Sequence, residues 1–361
     1  MKKMLPFVLL LAVVVAIQLL TAWTDTRYYL TQMTMSAYYA LLIIGLCAVM
    51  GYAGQISIGH AGFFAIGGYL SAALTTQNLI AYKDTALIRV LDAMGLIVAG
   101  EDIYGGTLMA VTPWAACILA VLTAAVIALV LGIPVLKLKG HYLAMATLGF
   151  GIIIYRIVLA SAYFGEADGI SEVPAFQLLP GLAVSGDFGA RVSNYYIAWG
   201  LLILGMLLLK NLIDSRVGRA LRSIHGSEEA AASVGVDTAR YKLQVFVLSA
   251  VFAAVAGVFL THYNGGIGPS EASVMKSVRY VAIVAVGGMA HLWGALVMGV
   301  ALNFLSLRGV FGSYDDAVFG VILIVIMLFA PNGILSLNWR DTFRRLLPRR
   351  GVAETAGEGS R

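Results

Sequence analysis

Apolar residues dominate this chain, and its polar positions fall mainly where long apolar runs end. A run of about 20 apolar residues fits one helical crossing of a bilayer. Such runs lie at 4–23, 33–52, 57–75, 113–136, 141–160, 195–212, 243–262, 278–290, 292–307 and 317–336. They predict ten helices, of which the eighth and ninth are short. The polar intervals 76–112, 161–194 and 213–242 are the long connections. The expected fold class is all-α, a polytopic integral membrane protein with about ten transmembrane helices and some broken, Gly-rich segments. One membrane domain covers 1–336, and a basic tail follows at 337–361, its apolar-free end GVAETAGEGSR expected to be disordered.

Composition supports the class. Only 12% of the residues are charged and 60% are hydrophobic, against about 25% charged in a soluble domain. The formal net charge of +5 would suit a nucleic-acid partner, but the basic residues gather beside apolar runs, where they set topology. Nucleic acid is therefore not an expected partner; membrane lipid is. With a cytoplasmic N-terminus, the inside segments hold Lys2, Lys3, Lys137, Lys139, Lys210, Arg216, Arg219, Arg222, Arg240, Lys242 and the six arginines from Arg340 onward. That is 16 of 24 basic residues but 7 of 19 acidic ones, which places both termini in the cytoplasm by the positive-inside rule. The first run follows Lys2 and Lys3 as a signal peptide would, but no A-x-A-like cleavage site follows it, so a retained helix is expected.

The outward intervals carry less information. A short surface helix is expected around Ile88–Val98. The 161–194 interval holds Glu166, Asp168, Glu172 and Asp187, and is either a surface for a soluble partner or a solvated loop.

Several chemistries lack their residues. No Lys follows a Gly, so there is no phosphate-binding loop of the GxxxxGK[ST] type. No GxSxG elbow occurs, and no two of the five histidines stand at metal-ligand spacing. Cys47 and Cys117 both sit within apolar runs and read as small buried hydrophobes. No catalytic residue, metal site or bound cofactor is expected, and the chain is read as a non-enzyme. Arg156, Arg279 and Arg308 fall near span ends. An ion-driven carrier usually needs an intramembrane Asp, Glu or His, and none stands out. Uphill transport by this chain would need energy from elsewhere.

Two stretches share one character. GYAGQISIGHAGFFAIGGYLSAAL (51–74) and AVGGMAHLWGALVMG (285–299) each open with glycines and polar residues before an apolar run. Short Gly-interrupted segments in both halves of a transporter point to its pathway, so Gly54, Gln55, Ser57, His60, Gly288 and His291 are candidate pathway residues. The alternatives stay open: a histidine bonded within its turn for His60 and His291, and an interfacial anchor for Trp293. Ser57, Ala61, Ala65, Gly68 and Ala72 form one small-residue stripe suited to close helix packing.

The interval 213–242 is the largest inside connection. Within HGSEEAAASVGVD (225–237), Ser227 suits a helix N-cap, Glu228 and Glu229 its first turn, and Gly235 its stop. A helix of about seven residues results, too short to persist alone, with Ala230, Ala231 and Ala232 giving a low-profile surface. Arg216, Arg219 and Arg222 precede it at roughly helical spacing. Such a segment is either a solvated hairpin or a docking point.

EAAASVG (229–235) matches the E-A-A-x-x-x-G core of the loop by which permeases of bacterial ABC importers dock their ATPases. With GYAGQISIGHAGFFAIGGY, KLKGHYLAMATLGFG and VGGMAHLWGALVMG in this order, the chain resembles the permease family of branched-chain amino acid ABC importers from about residue 35 to 336. It departs from the general loop motif near Val245–Leu248, where no proline closes an I-x-L-P ending, and its 76–112 loop is long. The resemblance implies a multi-pass protein of the bacterial cytoplasmic (inner) membrane. It implies ATPase docking through Arg219, Ser227, Glu228, Glu229, Ala230, Ala231 and Gly235. It also implies two ABC ATPase subunits carrying the ATP, a homologous second permease as heterodimer partner, and a periplasmic or lipid-anchored substrate-binding protein. The implied cargo is leucine, isoleucine and valine, with urea and short amides the cargo of close relatives. A stand-alone channel or secondary carrier is the rival from another class.

Overall fold

A computed structural model describes residues 4–80, 85, 89, 95–101, 107–138, 140–310 and 312–329. The basic tail, the N-terminal lysines and most of the segment expected to form a surface helix lie outside the described residues. Ile97 and Val98, at the end of that segment, are not helical. They belong to a hairpin of β1 (Ile97–Glu101) and β2 (Thr107–Val111). The β-branched pair that ends the expected helix is well suited to strand pairing.

Among the described residues, the long helices overlap the predicted apolar runs. They are α1 (Leu5–Trp23), α2 (Tyr29–Cys47), α3 (His60–Thr76), α4 (Pro113–Val135), α5 (His141–Ala160) and α6 (Arg191–Asp214). After two short connecting helices, α7 (Arg216–Gly226) and α8 (Glu228–Ser233), come α9 (Thr238–Asn264), α10 (Val274–Gly287), α11 (Leu292–Leu307) and α12 (Asp315–Phe329). Six of them, α1, α2 with its π-turn extension Ala48–Tyr52, α4, α5, α6 and α9, are long and apolar enough to cross a membrane. α3, α10, α11 and α12 have 17 residues or fewer.

On α4 large apolar side chains point outward and small ones inward, as expected where lipid replaces water. On α4 the buried face is Ala116, Ala120, Ala124, Ala128 and Gly132, a stripe of period four. Leu122, Val126, Val130 and Ile133 are exposed on its other side. α1 and α5 also expose Leu, Val and Ile along their length. So much contiguous apolar surface is not tolerated in water, and the protein is a multi-pass membrane protein.

α2 lies at the centre, enclosed by α6, α9 and α11. α3 and α9 make the closest pair. A Cβ on Gly257 would lie 2.1 Å from the Phe64 carbonyl oxygen, and one on Gly67 would lie 2.2 Å from that of Ala254. The backbones touch because neither glycine has a side chain. The predicted stripe on α3 is buried at Ala61, Ala65 and Ala72, where it serves helix packing.

The connections sort to two ends. At one end Leu79 N donates to Met109 O (2.8 Å), Gln77 Nε2 donates to Tyr163 O (2.9 Å), and Ile170 pairs with Ile267 across β3 (Ile170–Ser171) and β6 (Gly266–Ile267). A further hairpin there, β4 (Phe176–Leu179) with β5 (Leu182–Val184), gives the 161–194 interval more order than a solvated loop needs. At the opposite end the turns at 53–59, 136–140, 215–237 and 288–291 come together.

Candidate functional site

α7 and α8 build the feature expected to dock a partner. Ser215 caps α7, its Oγ accepting from Val217 N (3.1 Å). Leu221 and Ile224 are buried under α7 while Arg216, Arg219 and Arg222 stand on its exposed side. Arg222 turns back and donates to Ile213 O (2.6 Å), satisfying a carbonyl at the end of α6. The side chains of Arg216 and Arg219 have no hydrogen-bond or ion-pair partner among the described residues and leave a basic face.

Ser227 caps α8 through its Oγ, which accepts from Ala230 N (3.3 Å). The helix has six residues and stops at Gly235, whose φ of +86° is the left-handed conformation that glycine adopts freely. Val236 N donates to Ala231 O (3.1 Å) and Gly235 N to Ala232 O (3.0 Å). This closure pattern ends helices at a C′ glycine.

The predicted docking residues divide between two faces. Ala231 is buried. Glu228 also turns inward: its Oε1 accepts from Lys242 Nζ at 2.6 Å and from Thr238 Oγ1 at 3.3 Å. Glu229, Ala230, Ser233 and Val234 are exposed, Val234 at 78%. Val234 went unnoticed in the sequence because it reads as the last apolar residue of a turn. Its position four residues after Ala230 was the available signal.

The broken segments meet this loop. Residues 54–59 are non-helical between the π-turn and α3. Gly54, at φ +67°, packs so closely on α7 that a Cβ there would lie 2.9 Å from His225 Nδ1. Unwound backbone at membrane depth must be satisfied by protein, and neighbouring helices supply the partners. Ile58 N donates to Thr147 Oγ1 of α5 (3.0 Å), and Ala61 N to Ser277 Oγ of α10 (3.2 Å). His60 is buried, with Nδ1 3.0 Å from Ser57 Oγ and Nε2 2.8 Å from Ser249 Oγ. Ser57 and His60 therefore hold the turn against α9.

Gln55 differs. It is 2% exposed, yet neither its Oε1 nor its Nε2 has a protein partner. It lines a cavity of about 240 Å³ with Gly140, His225, Glu228, Glu229 and Lys242. The cavity joins the broken segment to the inward side of α8. Gly288 (φ +98°) ends α10, and the turn after it carries exposed His291 beside the π-turn of α2. A Cβ on Gly51 would overlap the Met289 carbonyl, 1.3 Å away. Trp293 packs on Phe7 of α1, ring centroids 5.2 Å apart. Gly54, Gln55, Gly288 and His291 thus lie at the end that carries α8, while Ser57 and His60 are enclosed just beneath.

Comparison with known proteins decides the class. A family described as branched-chain amino acid transport system, permease component, matches residues 28–328. The chain belongs to this family. The permease is 28% identical to the high-affinity branched-chain amino acid transport system permease protein LivM of Salmonella typhimurium over 326 residues, covering 84% of this chain and 69% of that protein. It is 28% identical to LivH of Escherichia coli K12 over 320 residues, covering 85% and 96%. BraD of Pseudomonas aeruginosa, another branched-chain amino acid permease protein, is 27% identical over 325 residues. No solved structure matches the permease.

Two features of the permease depart from the sequence reading of its charges. Lys242, counted only as an orienting charge, is 6% exposed at the start of α9. Arg279 sits within α10 rather than at a span end, stacked 4.6 Å over Phe319 and donating to Ser306 Oγ (3.0 Å). In each case the side chain finds its partner on another helix.

Proposed function

We propose that this permease is the membrane subunit of an ATP-binding-cassette importer of the bacterial inner membrane. It passes branched-chain or related small neutral amino acids inward from an extracytoplasmic binding protein. The end bearing α7 and α8 faces the cytoplasm, together with both termini, and ten helices line or cross the membrane. Two ATPase subunits hold and hydrolyse the ATP, and a homologous second permease completes the pore.

One observation carries the reading. α8 is a capped, glycine-terminated helix with Ala230, Ser233 and Val234 facing outward beside a basic face at Arg216 and Arg219. A short helix that would not persist in water is held rigid on one face and leaves its other face unused. An ATPase groove uses that face, and ATP-driven closure moves α8, α7 and the attached α6 and α9 together. Gly54 against His225 passes this motion to the broken segment 54–59. Alternate opening of the two ends follows as a two-state shift.

The test is copurification and uptake. Val234→Glu, on the outward face, is expected to reduce recovery of ATPase subunits with the tagged permease and to abolish ATP-dependent leucine uptake in proteoliposomes, with membrane insertion retained. Uptake by the permease without any ATPase would support the stand-alone carrier instead.

A further inference from the structure

Glu271 and Lys276 flank the start of α10, and their side chains pack against the helix bundle. After α9 ends at Asn264, residues 266–272 form β6 and a single 3₁₀ turn, Pro269–Ala272, packed on α3 and α5. α10 then begins at Val274 and runs 14 residues, about 21 Å, less than the roughly 30 Å hydrocarbon core. The turn before it packs against α2 through Glu271. Tyr39, ten residues into α2 and thus about 15 Å from its start, donates through its hydroxyl to Glu271 Oε1 (3.0 Å). Lys276 Nζ reaches Glu271 Oε1 (3.0 Å) and the Tyr39 hydroxyl (3.3 Å) and lies 4.8 Å above the Tyr39 ring.

This cluster is incompletely satisfied. Glu271 Oε2 is enclosed and has no protein partner, and the hydroxyls of Tyr69 and Tyr280 are equally unpartnered. Both tyrosines are 1% exposed. Tyr280 lies beside Tyr39, ring centroids 6.1 Å apart, and Tyr69 packs in one buried cluster with Ala272, the neighbour of Glu271. A buried polar group left unpaired is destabilising. Three such atoms gather around one ion pair. An intramembrane ionisable residue is best explained by what it serves.

We propose that Tyr39, Tyr69, Glu271, Lys276 and Tyr280 form a contact site for the zwitterionic head of the transported amino acid. The inference rests on the proposed function and deepens it. The α-ammonium donates to Glu271 Oε2 and to the free tyrosine hydroxyls, and the carboxylate turns to Lys276 Nζ. The apolar side chain needs no specific partner, which suits a set of aliphatic cargoes. No bond is made or broken, and the site holds the solute only in passing.

Tyr69→Phe and Tyr280→Phe test this directly, because each removes only an oxygen that has no protein partner. If the hydroxyls are structural leftovers, the variants fold as well or better and transport normally. The tagged permease is purified with its copurifying subunits from its own host and reconstituted in proteoliposomes. Uptake of radiolabelled leucine is measured at sub-saturating concentration with saturating binding protein. Each Phe variant is expected to lose at least fivefold in uptake, with the melting temperature of the complex unchanged or raised. Glu271→Gln is expected to lose more. Wild-type uptake with both Phe variants at wild-type rates overturns the inference alone. No leucine uptake by the wild-type complex overturns the proposed function and the inference with it.

Discussion

Glu228→Gln and Lys242→Met remove opposite halves of one ion pair, yet they are expected to have unequal effects. The pair is short, 2.6 Å, and lopsided: the Lys242 side chain is 7% exposed and that of Glu228 33%. Among the described residues, Glu228 is the partner of the amine. Glu228→Gln leaves a buried cation without its counter-charge. Breaking a fully buried pair in this way costs about 3–5 kcal/mol, and the exposure of Glu228 brings the expectation down to about 2 kcal/mol. The loss of a carboxylate from the first turn of α8 acts in the same direction, by about 0.3–1 kcal/mol. Lys242→Met instead fills the slot with an apolar chain and returns Glu228 to water, costing about 1 kcal/mol or less. The readout is hydrogen exchange at the Gly235 and Val236 amides, which donate to Ala232 and Ala231 and so report opening of the α8 closure. A 2 kcal/mol loss raises the opening constant about thirtyfold and 1 kcal/mol about fivefold. If Glu228→Gln exchanges no faster than wild type, the pair does not pin α8 to α9 and the rigid-lever account of docking fails.

Other substitutions probe neighbouring parts of the same argument. Gly235→Ala meets no atom within 4 Å but must adopt φ +86°, so it is expected to cost about 1 kcal/mol and weaken ATPase copurification. Gly226→Ala, with equal space and no positive φ, should be silent in the same pull-down. Gly257→Ala drives a Cβ to 2.1 Å from the Phe64 carbonyl and is expected to cost about 1–3 kcal/mol by overpacking. A melt followed by a thiol-reactive dye at the buried Cys47 and Cys117 should shift down by several degrees, and no shift for Gly149→Ala is the control. Gln55→Leu removes a buried amide with no protein partner, so the melt should shift up by about 1–3 kcal/mol of stability while leucine uptake falls. Unchanged uptake would remove Gln55 from the pathway.

The helices were legible because each is a local property of the chain. A run of apolar residues with helical length specifies α1 or α4 without reference to anything distant, and Ser227 and Gly235 mark the ends of α8 through contacts three to five residues away. The glycine-broken stretch 54–59 was legible for the same reason. Strands were not. β3 pairs with β6 across 96 residues in two-residue stubs, which leave no alternating pattern to read. Nor was the orientation of α8 legible. Ala230 and Ala231 are chemically identical, and only the packing of Glu228 on Lys242 decides that Ala231 faces in and Ala230 out.

The partners of the charges were illegible for a related reason. Glu271 and Lys276 lie between two apolar runs, so a window along the chain shows none of their distant neighbours. Their partner is Tyr39, 232 residues before Glu271 and within a run that reads as plain membrane span. In a bilayer the cost of burying a charge falls when a partner arrives from another helix, and no scale summed along one segment registers that partner. Local apolarity therefore builds the bundle, while its polar interior is set by contacts between distant segments. The same holds for Lys242, whose burial at the root of α9 depends on a carboxylate 14 residues upstream. Both ion pairs lie beside breaks in the helical pattern, at 265–273 and at 227–237. A break brings backbone polar groups and their neighbours into the bundle, where any charge that enters must be answered by another. Inspecting the residues that flank each break in a polytopic sequence, and seeking opposite charges or tyrosines that their helices could bring alongside, would have found both pairs before the fold was known.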